Sequence, residues 1–144
     1  MVSIGSGRWL IVLSVIIIVV SSCATLAKNK DNRKELTAAV EGFNTALRWG
    51  EFKLASAFIP PTMQEQFWRQ ADMMEGRIRL TKYDIRHITW GAGSRPSPVI
   101  IRYRYYYTDD PKLKTETVRQ VWRYSEETGN WQVTRSGLEA LIGR

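Results

Sequence analysis

Residues 99–107 read Val-Ile-Ile-Arg-Tyr-Arg-Tyr-Tyr-Tyr, and this stretch decides the fold. Val99, Ile101, Tyr103, Tyr105 and Tyr107 fall on one parity, and Ile100, Arg102, Arg104 and Tyr106 on the other. Successive side chains of a strand point to opposite faces, so the pattern predicts a β-strand with one apolar-aromatic face and one basic face. Just upstream, Gly91 to Pro98 holds two glycines, two prolines and two serines, which predicts a loop. Beyond that loop, Arg77 to Trp90 predicts an earlier strand. Ile78 and Leu80 there share one parity and Tyr83 and Ile85 the other, a mismatch that a bulge near Lys82 reconciles.

Downstream, Thr115 to Tyr124 predicts a third strand with Val118, Trp122 and Tyr124 together, and Trp131 to Arg135 a fourth with Trp131 and Val133 inward. Asp109-Asp110-Pro111 and Glu127-Thr128-Gly129-Asn130 are short enough to be hairpin turns, so residues 99–135 predict an antiparallel meander. Leu138 to Ile142 predicts a last helical turn against the sheet edge.

The period changes in the first half. Leu36, Ala39, Val40, Phe43 and Leu47 recur at spacings of three and four, which places them on one helical face, with Glu35, Glu41, Asn44 and Arg48 largely elsewhere. Gly50 is a natural stop. A short helix over Glu51 to Ile59, with Phe52, Ala55 and Phe58 or Ile59 inward, ends at Pro60 and Pro61. Thr62 followed by Glu65 predicts a capping box for a third helix burying Met63, Phe67, Ala71 and Met74 and closed by Gly76. Helices first and a curved antiparallel sheet of about four strands afterwards define an α+β domain over residues 35–144.

The 144 residues carry a formal net charge of +7. One cysteine, Cys23, excludes an intrachain disulfide and any multi-cysteine metal site. Before Cys23 the only ionisable side chain is Arg8. Trp9 to Val20 is an apolar run broken only by Ser14, short for a membrane span and built like the centre of an export signal. Val20-Ser21-Ser22-Cys23 resembles the bacterial lipobox, with valine where leucine is commoner. That resemblance implies a signal peptide over 1–22, a lipid-modified Cys23 as the first mature residue, and a lipidated start and short linker over 23–34. A single acyl chain holds only marginally, and several chains on one cysteine meet the need without a spanning helix. The other reading is an uncleaved anchor over Trp9 to Leu26; both put residues after about 30 outside the cytoplasm. Ala24 after the cysteine resembles outer-membrane sorting. The expected place is therefore the cell envelope, at the outer membrane facing the periplasm more than the outer leaflet of the cytoplasmic membrane. The partners expected are the membrane, through Cys23, and other envelope proteins. Export removes most encounters with nucleic acid, so none is expected as a partner.

The order of elements resembles the NTF2-like, or cystatin-like roll, superfamily. The matching features are the helix Leu36 to Trp49, the turn Gly50-Glu51-Phe52, the short helix ending at Pro60, and four strands finishing with Gly129-Asn130-Trp131-Gln132-Val133. The first hairpin of many such domains is absent or reduced. The resemblance implies a bent sheet forming a cone under the helices, with Trp90, Tyr103, Tyr105, Trp122 and Trp131 lining a pocket or filling a core. The fold hosts enzymes, pocket binders and assembly modules alike.

Chemistry is sparse. His87 is the only histidine, and enzymes of this resemblance often pair a histidine with an aspartate on the sheet wall. Asp84 is three positions away, on the opposite face of an undisturbed strand, although a bulge changes that. Asp109-Asp110 and Glu126-Glu127 occupy turns and match no calcium loop. No cofactor or metal is expected. The strongest surface feature is basic and aromatic: Arg102, Arg104 and Tyr106 on one strand face, with Arg119 and Arg123 able to neighbour them across a hairpin. Arginine and tyrosine are enriched at interface centres, so these residues are candidates for protein docking. The expected function is a lipid-anchored, non-catalytic binding or assembly subunit of an envelope complex; the alternatives are a carrier or sensor of an apolar ligand, and an enzyme using His87.

Overall fold

The computed structural model describes residues 31–143. The expected export signal, Cys23 and the first part of the expected linker, through residue 30, lie outside the described residues, as does Arg144; residues 31–34 of that linker are helical. Helix α1 (31–49) is followed by α2 (Phe52–Ser56), a single 3-10 turn (Pro61–Met63) and α3 (Gln64–Met74). Strands β1 (Ile78–Ile88), β2 (Ser97–Tyr107), β3 (Asp110–Ser125) and β4 (Asn130–Arg135) come next, and α4 (Glu139–Ile142) ends the chain. The sheet is antiparallel in the order β1-β2-β3-β4, the meander that the hairpin turns predict.

α1 ends where Gly50 takes φ +72, with Glu51 N–H donating to Ala46 O at 2.9 Å and Gly50 N–H to Leu47 O at 3.1 Å. This paired closure satisfies two carbonyls that the helix end would otherwise leave open. The expected capping box at α3 does not form. Pro61, fixed in φ and lacking an N–H, opens a 3-10 turn, so the helix starts at Gln64 with no side-chain cap. Gln64 Nε2 instead donates to the carbonyls of Ser56 (2.8 Å) and Ile59 (2.9 Å), tying α3 to the chain before it.

β1 holds two bulges, between Leu80 and Lys82 and between Ile85 and His87. The first is the one that parity requires, and it lets Ile78, Leu80, Tyr83 and Ile85 all face inward. β3 starts five residues before the expected Thr115, because Tyr107 pairs with Asp110 and Tyr105 with Lys114. The ladder thus recruits a polar stretch with no alternation of its own. At the far edge, Val133 N–H donates to Phe58 O at 2.8 Å, so the segment after α2 covers part of β4.

The core lies between the helices and the inner sheet face. Leu36, Val40, Phe43 and Leu47 of α1, Phe67, Ala71 and Met74 of α3, and Val99, Ile101, Tyr103, Val118, Trp122 and Val133 of the sheet are all buried. Phe43 is the hub of the aromatic packing, with ring centroids 5.8 Å from Trp122, 6.2 Å from Phe58 and 6.4 Å from Phe67. The pairs with Trp122 and Phe58 are edge-to-face, an arrangement worth about 0.5–1.5 kcal/mol each beyond the area buried. No helix among the described residues is long and apolar enough to cross a membrane.

Candidate functional site

The inner sheet face, expected either to line a pocket or to fill a core, carries a closed polar network. Asn44, Tyr103, Gln120 and Trp122 are each fully buried. The Tyr103 hydroxyl donates to Asn44 Oδ1. Gln120 Nε2 donates to Asn44 Oδ1 (3.0 Å) and to the Tyr103 oxygen (3.0 Å), Trp122 Nε1 donates to Gln120 Oε1 (3.1 Å), and Asn44 Nδ2 donates to Val40 O (2.8 Å). Each member finds a partner within the protein, which is what a buried polar group needs in order not to destabilise the fold. Burial pushes the Tyr103 hydroxyl well above its ordinary pKa of 10.0, against a smaller lowering by the Gln120 bond, so it stays protonated and remains a donor. Periodicity missed Asn44. It was expected off the buried face, but it is fully enclosed, because its amide is satisfied by strands that only the folded chain brings near.

Of the five aromatic residues proposed for a pocket, Tyr103 and Trp122 belong to this filled interior. Tyr105 is buried against Tyr107, with centroids 5.7 Å apart. Trp90 and Trp131 meet at a tilt with centroids 5.6 Å apart, and Tyr124 meets Trp131 edge-on at 5.6 Å. The clefts beside these elements measure about 290, 320, 550 and 250 Å³. The largest is an open groove lined by Ala38, Ala39, Ala57, Phe58, Asn130 and Trp131, and Trp131 is the only one of the five aromatics on the walls of these four.

The outer face is different. Residues opposite each other in an antiparallel ladder share a face. Arg79 lies opposite Tyr106, Lys82 opposite Arg104, Asp84 opposite Arg102, and His87 opposite Ile100. Across the next pairing, Arg119 lies opposite Ile100, with Thr117 beside Arg102 and Thr115 beside Arg104. Arg123 lies opposite Gln132, and Val121 opposite Arg135. The ladder therefore brings Arg102, Arg104, Tyr106, Arg119 and Arg123 onto one surface and adds Arg79, Lys82 and Arg135.

The second bulge puts His87 on the same face as Asp84, where an undisturbed strand would have opposed them. That face is the outer one, His87 is exposed there, and it pairs two positions along β2 from Asp84. The Asp84 carboxylate accepts from Lys82 Nζ at 3.1 Å and from Arg102 Nη2 at 3.4 Å. Its pKa is held below the ordinary 3.8, first by the Lys82 hydrogen bond and then by Arg102, against the opposing effect of partial desolvation. A carboxylate so engaged is a poor base for polarising His87. Among the described residues, no three His, Cys, Asp or Glu side chains gather as a metal site.

The helices on a four-stranded antiparallel sheet make this an NTF2-like α+β fold. Two solved structures share it. A ketosteroid isomerase-like protein from Erwinia carotovora atroseptica SCRI1043 superposes with a TM-score of 0.57 at 13% identity, over 71% of this chain and 90% of that one. An LEH-like epoxide hydrolase of M. tuberculosis superposes with a TM-score of 0.52 at 18% identity, over 76% of this chain and 96% of that one. No family model and no curated protein matches the sequence. At these identities the likeness is one of fold.

Proposed function

We propose that this chain is a lipid-anchored, non-catalytic binding or assembly subunit of a bacterial envelope complex, of the kind a secretion, pilus or transport apparatus uses. The observation that carries the reading is the filled interior: Tyr103 and Trp122 occupy the space under the helices, and Asn44 and Gln120 saturate their polar atoms. A site for chemistry or for a small ligand needs concave, accessible space with unsatisfied polar groups aimed into it. The features left over for recognition are on the outside, where Arg102, Arg104, Tyr106, Arg119 and Arg123 share the open sheet face. Val20-Ser21-Ser22-Cys23 supports the anchor. The test is a photo-crosslinking amino acid placed at Arg104 and, separately, at Leu54 on the helical side, in cells carrying the full chain. The reading expects one defined envelope protein, identified by mass spectrometry, from the Arg104 position and not from Leu54. Absence of any adduct at Arg104 overturns it.

One observation favours a second reading as a carrier of an apolar ligand. The groove beside Trp131 is about 550 Å³ and mostly apolar, and the buried Trp131 indole N–H has no hydrogen-bond partner among the described residues. Native mass spectrometry of the purified chain showing a stoichiometric bound lipid or other apolar molecule would move the conclusion to this reading.

A further inference from the structure

Charge is segregated in this domain. Residues 31–143 contain seventeen lysines and arginines and fourteen aspartates and glutamates. Seven of those cations (Arg79, Lys82, Arg102, Arg104, Arg119, Arg123 and Arg135) lie on the outer sheet face with one carboxylate, Asp84. That leaves ten cations against thirteen carboxylates for everything else, so the outer face carries all of the domain's positive excess. Lys82 and Arg102 share Asp84, and Arg135 meets Glu139 at 3.4 Å. Among the described residues, Arg79, Arg104, Arg119 and Arg123 pair with no carboxylate.

Six of the seven are arginines, whose planar fork matches a carboxylate with two parallel hydrogen bonds. Arg102 shows that fork incompletely used: its Nη2 has one long contact to Asp84 at 3.4 Å, and its buried Nε–H has no partner among the described residues. Their spacing matters as well. Arg102 and Arg104 are two residues apart on one strand face, about 6.8 Å along β2, which is the repeat at which an extended chain presents alternate side chains. Ile100 and Tyr106, both half-buried, bracket the two arginines on the same face.

We infer that the outer face takes an extended acidic segment of a partner protein, laid along β2 in the order apolar, any, acidic, any, acidic, any, apolar. The two acidic side chains meet Arg102 and Arg104, with Arg79 and Arg119 flanking, and the apolar ends rest on Ile100 and Tyr106. The fixed two-residue repeat and the bracketing apolar positions favour a polypeptide over a lipid surface, whose head groups have no set spacing. This rests on the reading of the sheet face as a docking surface and specifies what docks.

The experiment uses the full chain in detergent and a dye-labelled peptide Leu-Thr-Glu-Thr-Glu-Thr-Leu, followed by fluorescence anisotropy. Binding is expected to weaken at least tenfold in Arg104→Glu, to strengthen several-fold in Asp84→Asn, and to be unchanged in Lys53→Glu on the helical side. Circular dichroism melts confirm that each variant is folded. The same peptide with glutamine for glutamate is expected not to bind, and raising the salt is expected to weaken binding steeply. Equal binding of the glutamine peptide, no binding of the acidic one, or capture by anionic vesicles in place of the peptide overturns the inference. If the peptide fails while a crosslink at Arg104 still forms, the acidic motif is wrong and the docking surface stands; if both fail, so does the surface.

Discussion

The Tyr103 hydroxyl donates to Asn44 Oδ1, joining the middle of the sheet to the first helix across 59 positions of chain. Gln120 closes the arrangement from β3, so three elements meet in one buried set of hydrogen bonds. Such a set specifies a single packing of helix on sheet, because any slip leaves a polar group unpaired in the core.

Removing its members should cost unequally. In Tyr103→Phe the amides of Asn44 and Gln120 keep each other as partners, and the loss is about 1 kcal/mol. Asn44→Ala removes the acceptor of the Tyr103 O–H, one partner of the Gln120 amide, and the side-chain volume, leaving a void, for a loss of about 3 kcal/mol. Urea unfolding of the two variants checks the order; equal losses would mean that the network adds nothing beyond side-chain volume.

Alkaline pH is a second probe of the same residue. The folded-state pKa of Tyr103 is raised above its ordinary value of 10.0, so the folded protein holds this proton more tightly than the unfolded chain does. Stability from this group is full below pH 10 and declines as pH rises above it. Tyr103→Phe should flatten that alkaline decline. Thermal melts between pH 8 and pH 11 with parallel slopes for the two proteins would contradict the assignment.

Two glycines with positive φ should respond differently to alanine. At Gly137, φ is +76 and an added Cβ would come within 2.8 Å of Val118 Cβ, so strain and overpacking together predict a loss of about 3 kcal/mol. At Gly93, φ is +64 and the space is open, so strain alone predicts about 1 kcal/mol. Melting temperatures of the two variants give the comparison.

The proposed anchor predicts a change of compartment. Cys23→Ser should shift the chain from the membrane pellet to the soluble fraction, and the intact mass of the wild-type mature protein should carry diacylglycerol or more on residue 23. A wild-type protein with Met1 intact and no added mass would refute it.

Much of the architecture was legible locally. Val99 to Tyr107 alternates because one face is buried, Gly50 and Gly76 stand where a left-handed turn must end a helix, and the mismatch around Lys82 marked a bulge. The capping box was not legible, because Thr62 and Glu65 have the right spacing while Pro61 redirects the backbone into a 3-10 turn. Arg102, Arg104 and Tyr106 could be placed together because they lie on one strand. Arg79 and Arg135 could be joined to them only through pairing on the neighbouring strands.

By itself, then, the sequence determined the order of the elements and the inward parity of the sheet, since each depends on residues within a turn or two of one another. The tertiary structure alone decided that Asn44 is buried and not exposed, that a second bulge carries His87 outward, and that seven cations from four strands share one surface. Those outcomes follow from strand register and helix docking. Both are set by contacts between residues tens of positions apart, where no local periodicity carries the information.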